Sequence, residues 1–354
     1  MTFKGTMPFK GTMPFRNNAV PGIRGIVVER ELTVPVSLTL PNGELNPQAV
    51  GWARRPLVDT SGIGTTGSWG RNKRWEYWNI TTPTHVLAAT VSLIDYAAVH
   101  EIWVLDRITH QTWGRAPTVI PPRGATLPPS LNQGPVRAEA KDLLITIDHT
   151  EGITTLHAEI PEASFDVQIA RPEGHDCLAV VVPWSKRRFQ YTIKEVALPA
   201  SGVVRIAGRE HPIPAGRSWA VLDHGRGRWP YNVAWNWGAG SGLVDGVPFG
   251  IQVGGRWTDG TGSTENGILI GTVMTKICEE LVWDYDLADW RRPWHISGGG
   301  LDATFVPDYN RHAQTNLGVI AARTDQCFGT WSGRFAETTF TDIDGWAEDV
   351  ANRW

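Results

Sequence analysis

The segment from residue 143 to residue 160, LLITIDHTEGITTLHAEI, decides the fold class of this chain. Apolar and polar residues alternate on either side of a short polar connection at residues 149–152, and this is the period of a β-strand with one buried face. The segment is therefore predicted to be an antiparallel hairpin. The same alternation recurs at residues 165–169 and elsewhere, whereas amphipathic helical patterns are scarce. We predict an all-β chain dominated by antiparallel strands.

A second strand pattern is the nearly continuous apolar run at residues 177–184, CLAVVVPW. A run of this length without alternation is typical of a strand that is buried on both faces. The composition agrees with a strand-rich fold, because 38 glycines and 24 prolines mark many turns and only 19% of the residues are charged.

The length of 354 residues suits two domains or one large one. A division between residues 185 and 186 gives two halves, 21–185 and 186–354, each of a size for a barrel or sandwich of about eight to ten strands. The near-perfect repeat GTMPFK–GTMPFR at residues 5–16 is interpreted as part of a disordered leader that covers residues 1–20.

The charge balance argues against a nucleic-acid partner. Lysine and arginine number 33 against 36 aspartates and glutamates, and no nucleic-acid-binding module is recognisable. No apolar run approaches the roughly 18 residues that a membrane-spanning helix needs, so no integral membrane segment is predicted. Peripheral contact with a membrane and the oligomeric state stay open.

The cysteines and histidines give no sign of a metal centre. Cys177, Cys278 and Cys327 lie far apart, which favours neither a disulfide framework nor a zinc site. The ten histidines show no metal-ligand spacing, and no phosphate-binding or dinucleotide-binding loop stands in its proper context. We predict no metal and no redox cofactor. Reduced thiols and the lack of a signal-peptide pattern predict a cytoplasmic protein.

The main candidate site is the segment 223–240, DHGRGRWPYNVAWNWGAG. Aromatic side chains beside a few ionisable groups suit an apolar ligand pocket, and a Trp-rich core with a salt-bridged loop is the alternative. Asp223 and His224 are the candidate acid and base, and Arg226 would orient a carboxylate or a substrate oxygen. Neighbouring residues on a strand face opposite sides, so Asp223 and His224 share one pocket only if the loop breaks that pattern. The candidate pocket walls are Trp229, Trp235 and Trp237.

Two further segments carry candidate residues. Glu265 and Asn266 precede a strand-like run, where they either direct polar groups into a cleft or form a tight turn. Trp75 and Glu76 lie in another strand pattern, in which most of the aromatic residues are interpreted as core. A buried Glu76 would have a pKa raised by desolvation and could then donate a proton.

A set of motifs, in order from about residue 24 to residue 354, resembles the DUF2804 family. The resemblance rests on the ordered set and not on any single motif. The motifs are RWEY at 74–77, DHGRGRWP at 223–230, WNW at 235–237, TEN at 264–266, FVP at 305–307, FG at 328–329 with SG at 332–333, and GWAE at 345–348.

This resemblance implies a double lipocalin-like fold, as in carotenoid 1,2-hydratases and fungal decalin-forming Diels–Alderases. Two lipocalin-like antiparallel β-barrel or sandwich halves would pack together, with an apolar cavity in or between them. The resemblance also implies terpenoid or polyene substrates and chemistry without a metal or a nicotinamide. Position 224 carries His where the family run is expected to have an aromatic residue, which favours acid–base function in this member.

Three functions are consistent with these residues. The first is a cofactor-independent lyase or isomerase of hydratase type, in which Asp223 or Glu265 protonates an alkene of an apolar small molecule and His224 relays the proton. The second is a lipid or terpenoid carrier that uses the same cavity without chemistry. The third is a carbohydrate-active protein, which would need two carboxyl groups across an open groove.

Overall fold

The computed structural model describes residues 28–64, 68–316 and 321–353. Within these ranges the regular structure is β-strand apart from a three-residue 3-10 helix at Pro47–Ala49. The predicted all-β class is therefore confirmed, and the predicted leader at residues 1–20 lies outside the described residues. No helix in the described ranges is long and apolar enough to cross a membrane.

The chain before residue 229 forms one large sheet and a small pair. The strands are β1 (Val36–Ser37), β2 (Trp52–Ala53), β3 (Val58–Asp59), β4 (Asn72–Thr81), β5 (His85–Ile94), β6 (Ala97–Asp106), β7 (Thr112–Arg115), β8 (Thr118–Val119), β9 (Ala125–Thr126), β10 (Val136–Ala140), β11 (Leu143–Thr150), β12 (Ile153–Ile160), β13 (Ala163–Ala170), β14 (Leu178–Ser185), β15 (Arg188–Ile206), β16 (Arg209–Ile213) and β17 (Trp219–Arg228). Strands β1 and β3 pair in parallel, and the other fifteen form an antiparallel sheet whose main path is β7-β6-β5-β4-β17-β15-β13-β12-β11-β10-β9. Strands β14 and β16 both pair with β15, β2 pairs with β14, and β8 pairs with β6.

The rest of the chain forms a second sheet of nine strands. They are β18 (Asn232–Val244), β19 (Val247–Gly255), β20 (Asn266–Ile270), β21 (Val273–Ile277), β22 (Val282–Asp284), β23 (Trp294–Gly298), β24 (Leu301–Asn316), β25 (Ala321–Phe335) and β26 (Thr338–Arg353). Their order is β21-β20-β19-β18-β26-β25-β24-β23-β22, so the last strand of the chain lies in the middle of the sheet.

Two local predictions are confirmed. The hairpin at residues 143–160 is β11 paired with β12, in a register that sets Ile147 opposite Leu156. The apolar run at residues 177–184 contains β14, which is buried on both faces. Val181 packs in the core of the first sheet, whereas its neighbour Val180 packs in the core between the sheets.

The sheets change between β17 and β18, at residues 229–231. The predicted division between residues 185 and 186 falls instead in the hairpin that joins β14 to β15, two strands of one sheet. The hairpin carries the polar run SKRR at residues 185–188, whereas the connection between the sheets is the aromatic segment WPY at residues 229–231, so the sequence pattern marks the hairpin more clearly than the connection. The division of the chain into two folding units at residues 185 and 186 stays a prediction.

The described residues form three apolar cores. Each sheet curls around a core of its own, which includes Phe165 in the first sheet and Phe305 in the second. The third core lies between the sheets and contains Tyr77 and Trp346. Tyr77 belongs to this third core, whereas the next residue on β4, Trp78, belongs to the first core. Because neighbouring residues on a strand face opposite sides, β4 separates the two cores. Apolar side chains therefore pack against both faces of β4.

Trp346 tests how much the middle core contributes to stability. Trp346 is 1% exposed, and its ring makes edge contacts with Trp237 on the neighbouring strand of its own sheet and with Tyr77 on the other sheet. We expect Trp346→Ala to lower the free energy of unfolding by about 3–5 kcal/mol, because it removes a large buried ring and leaves a cavity. Chemical denaturation measures the loss. The control is Val306→Ala, at a position 45% exposed, which should stay within about 0.5 kcal/mol of the parent protein; equal losses would contradict this account.

Candidate functional site

A cavity of about 370 Å³ lies between the two sheets. Its volume falls within the range of roughly 300–1,000 Å³ that is typical of small-molecule sites. Strands β4, β5, β6, β15 and β17 contribute one wall, and β18, β24, β25 and β26 contribute the other. The aromatic lining consists of Trp75, Tyr77, Trp229, Trp235, Trp237 and Trp257, and the ionisable lining of Lys73, Glu101, Lys194, Asp223, Glu265, Arg311 and Glu348.

Trp229 is the centre of the aromatic wall. Its ring makes edge contacts with Trp75 at 5.4 Å and Trp235 at 5.9 Å between centroids, and stacks on Trp257 at 6.0 Å. Its indole N–H donates to Gln190 Oε1 at 2.6 Å. Because rings and N–H groups both have fixed partners, the wall is held in place before any ligand enters.

Two of these indoles also hold carboxylates of the cavity. The Trp75 N–H donates to Asp223 Oδ2 at 2.9 Å, and the Trp235 N–H donates to Glu348 Oε1 at 2.8 Å. Gln326 Nε2 donates to the other Glu348 oxygen at 3.0 Å. The acidic groups are thus fixed against an apolar surface.

Lys194 forms a buried ion pair with Asp223. Its Nζ lies 3.0 Å from Asp223 Oδ1 and 3.5 Å from Glu265 Oε1, and 3.8 Å from the centroid of the Trp237 ring. Thr192 Oγ1 donates a further hydrogen bond to Asp223 at 3.3 Å. Although burial alone would lower the pKa of Lys194, the charges of Asp223 and Glu265 outweigh it and raise the pKa, so the amine is a cation.

Glu265 and Glu348 are two of the three glutamates that line the cavity, and burial raises the pKa of both. Burial raises the pKa of Glu265 to about 7, and the charge of Lys194 opposes this only in part. Burial likewise raises the pKa of Glu348 to about 7 against the hydrogen bond from Trp235. Glu265 Oε1 accepts no hydrogen bond, whereas both oxygens of Glu348 accept one. At neutral pH a large fraction of Glu265 is therefore a carboxylic acid that can donate a proton.

The structure places His224 and Glu76 on the opposite face of the first sheet. Strand β17 is regular here, so Asp223 pairs with Tyr77 on the cavity side while His224 pairs with Glu76 on the other side. His224 Nδ1 lies 3.5 Å from Glu76 Oε2, and both side chains are fully buried. Burial and the charge of Arg226 lower the pKa of His224 to about 4, so the imidazole is neutral. It cannot relay a proton to a ligand in the cavity.

The expectation that burial raises the pKa of Glu76 is wrong. Burial alone would raise it, but the side-chain hydrogen bonds of His149 and His224 outweigh burial and hold this pKa below its usual range. Trp78 Nε1 also donates to Glu76 Oε1 at 2.9 Å, and His149 Nε2 lies 3.1 Å from the same oxygen. Sequence alone does not reveal these partners, because His149 is 73 residues away.

Arg226 and Asn266 also lie outside the cavity lining. The Arg226 guanidinium donates to the carbonyl oxygens of Trp75, Gly225 and Pro128 at 2.8, 2.8 and 3.0 Å, so it ties three segments together. Asn266 accepts from the Gly254 N–H at 2.7 Å and donates to the Glu279 carbonyl at 3.0 Å. Of the pair Glu265–Asn266, the structure brings only Glu265 to the cavity.

Sequence reasoning missed Lys194 and Glu348. A signal was present for each: Lys194 lies within a long apolar strand, where a lysine needs a buried partner, and Glu348 closes the GWAE motif. Neither signal says which face the side chain occupies.

The family model described as Domain of unknown function (DUF2804) matches residues 29–354. The chain belongs to the DUF2804 family. No curated protein matches the sequence of this DUF2804 protein.

Solved structures share its fold at low sequence identity. The crystal structure of CghA with Sch210972 is 10% identical with a TM-score of 0.51, over 80% of this chain and 88% of that one. AttH, as assigned in Nitrosomonas europaea, is 11% identical with a TM-score of 0.52, over 79% and 92% of the two chains. These likenesses show a double lipocalin-like fold. Kievitone hydratase from Nectria haematococca, 12% identical over 93% and 98% of the two chains, has a TM-score of 0.49, which is too low to bear on the fold.

The Trp75 ring occupies the space that a side chain at Gly225, in the DHGRG motif, would fill. A Cβ atom at position 225 would lie 2.1 Å from Cζ2 of the Trp75 ring, so the indole crosses strand β17 only because this residue is glycine. We expect Gly225→Ala to lower the free energy of unfolding by about 1–3 kcal/mol through overpacking.

A double-mutant cycle isolates that contact. In a Trp75→Ala background the added methyl meets no ring, so Gly225→Ala should have almost no further effect on the free energy of unfolding. An equal loss in both backgrounds would show that Gly225 matters for another reason.

The raised pKa of Glu265 predicts a pH dependence of stability. Between the usual value of 4.5 and about 7, the native protein keeps a proton that the unfolded chain has lost. The free energy of unfolding therefore falls as pH rises through this window, by at most about 1.4 kcal/mol per pH unit from this group. Glu265→Gln removes the titration, so its stability relative to the parent protein should improve from pH 5 to pH 8.

Denaturation curves at several pH values measure this difference. Glu279→Gln, at an exposed neighbouring position, is the control and should follow the parent protein. A Glu265→Gln curve parallel to that of the parent across the window would contradict the assignment.

Proposed function

We propose that the protein is an acid–base enzyme of lyase or isomerase type, most simply a hydratase, that acts on an apolar small molecule in the cavity between its sheets. The observation that carries the proposal is the placement of Glu265, a protonatable carboxyl group beside a fixed ion pair in a tryptophan-walled cavity. A pocket with no acid facing the ligand would favour a carrier. Here Asp223 and Glu265 both line the cavity.

Glu265 is the proposed proton donor. It donates its proton to one carbon of an alkene, and positive charge develops on the neighbouring carbon. Asp223 is less suited to this step, because both of its oxygens already accept hydrogen bonds or pair with Lys194. A well-placed general acid supplies a rate factor of about 10²–10⁴.

The remaining groups stabilise the charged species. Indole faces stabilise a neighbouring cation by about 0.5–2 kcal/mol each when water is excluded, and the Asp223 carboxylate adds a fixed negative charge. A water molecule then bonds to the cationic carbon, and its proton returns to Glu265. The reaction adds one water across the double bond and regenerates the acid. The same steps in reverse give dehydration, and loss of a different proton gives isomerisation.

The experiment begins with native mass spectrometry of the protein from its own host, followed by solvent extraction of bound material. The extracted compound is then incubated with fresh protein in D₂O, and carbon-bound deuterium is measured. We expect incorporation that falls as pH rises through about 7, because Glu265 loses its proton there.

Glu265→Gln should lower the rate at least about hundredfold while leaving ligand binding and unfolding at pH 6 nearly unchanged. Glu279→Gln is the matched control and should retain the parent rate. A ligand that binds but gains no deuterium with the parent protein would identify a carrier. Deuterium incorporation that Glu265→Gln leaves intact would remove Glu265 from the mechanism.

A further inference from the structure

The connections at one edge of the first sheet lie beside the cavity. Strand β4 begins at this edge, β5 ends and β6 begins there, β17 ends there, and β14 turns into β15 there. Cavity-lining residues lie at or within two positions of these connections: Lys73, Ile94 and Trp229. The residues of the connections, which we call the cavity rim, are 68–71, 95–96, 185–188 and 229–231. Whatever binds the cavity rim is therefore next to one end of the cavity.

Aromatic side chains are exposed on the cavity rim. Trp69 is 76% exposed, a high value for a tryptophan, and its ring makes an edge contact with Tyr96 at 6.3 Å between centroids. The Arg71 guanidinium lies over the ring of Tyr231, 5.4 Å from its centroid, and Tyr231 is 38% exposed. The backbone N–H of Arg71 donates to Asp95 Oδ2 at 3.0 Å, which ties the loop before β4 to the turn between β5 and β6. The three aromatic side chains thus belong to one connected patch.

The cavity rim also carries a cluster of positive charge. Its basic residues are Arg71, Lys186, Arg187 and Arg188. Two acidic residues lie among them: Glu44 pairs with Arg187 at 3.5 Å, and Asp95 accepts hydrogen bonds from backbone N–H groups. Burial and the charges of Arg71 and Arg187 lower the pKa of Arg188, so these guanidinium groups repel one another. A protein with a net charge of −3 thus concentrates positive charge beside its cavity.

We propose that the cavity rim docks the protein on an anionic lipid surface, with one end of the cavity beside the headgroups. The negative charges of such a surface offset the repulsion among the arginines. Tryptophan and tyrosine suit the boundary between headgroups and acyl chains, because each combines an apolar ring with a polar group that stays hydrated. A bilayer is favoured over a protein partner because it supplies both anionic headgroups and apolar molecules for the cavity. This choice rests on the cavity being an apolar ligand site, as proposed above, but not on catalysis by Glu265.

Co-sedimentation with vesicles tests the docking on the whole protein. Vesicles of phosphatidylcholine alone are compared with vesicles of equal parts phosphatidylcholine and phosphatidylserine. We expect binding to the anionic vesicles that weakens as sodium chloride is added, because salt screens exposed charges, and little binding to the neutral ones. Reversing two exposed charges, Lys186→Glu with Arg187→Glu, should lower the partition coefficient at least about twentyfold, because each basic residue near an anionic surface contributes about fivefold.

The matched control is Arg209→Glu with Arg217→Glu, because both residues are exposed and lie beside the opposite ends of β15 and β17. This variant should bind like the parent protein, whereas Trp69→Ser should weaken binding at least about fivefold through the loss of buried apolar area. All these positions are exposed, so the unfolding temperature should stay unchanged.

Three outcomes overturn the proposal: equal losses of binding in the two charge-reversal variants, equal binding to neutral and anionic vesicles, or no binding to either. Glu265→Gln should bind vesicles like the parent protein even where deuterium incorporation is lost. Failure of the docking and failure of the proposed acid are therefore separate results.

Discussion

The buried ion pair between Lys194 and Asp223 is the interaction on which the rest of the site depends. Two opposite charges in a dry interface are stable only when hydrogen bonds satisfy them, and removing one partner of such a pair costs about 3–5 kcal/mol. Here Trp75 and Thr192 complete the set around Asp223. Trp75 in turn reaches its position only because Gly225 has no side chain. The ion pair also leaves Glu265 with the weaker contact, because the Lys194 amine lies 3.0 Å from the Asp223 carboxylate and 3.5 Å from Glu265.

The candidate site lies between the two sheets, beside the middle core. Each sheet encloses a cluster of buried apolar side chains, whereas the cavity of about 370 Å³ has walls from both sheets. Side chains of successive residues on β17 face opposite sides of the first sheet. Asp223 serves the cavity, whereas His224 and Arg226 serve the interior of the first sheet, where they meet Glu76 and backbone carbonyl groups. A single sequence motif thus supports two polar clusters that do not touch the same ligand.

Sequence patterns predicted the strands well and the site in part. The hairpin of β11 and β12 and the two-sided burial of β14 follow from the period and length of apolar runs, which are local properties. Asp223 and the candidate tryptophans Trp75, Trp229, Trp235 and Trp237 line the cavity, and their role in binding or catalysis stays a prediction. The choice between the two faces of β17 could not be made from sequence, because both faces are buried and polar. Lys194 and Glu348 were missed because their partners, Asp223 and Trp235, lie on strands that are distant in the chain.

The central claim is that the cavity holds a protonated carboxylic acid at neutral pH, and infrared difference spectroscopy tests it most directly. The carbonyl stretch of a buried protonated carboxyl group is recorded as a function of pH for the parent protein, Glu265→Gln and Glu348→Gln. The account predicts a band that disappears with a midpoint near pH 7 and loses one component in each variant. A spectrum without a protonated carboxyl band at pH 6, or a band that Glu265→Gln leaves unchanged, would contradict it.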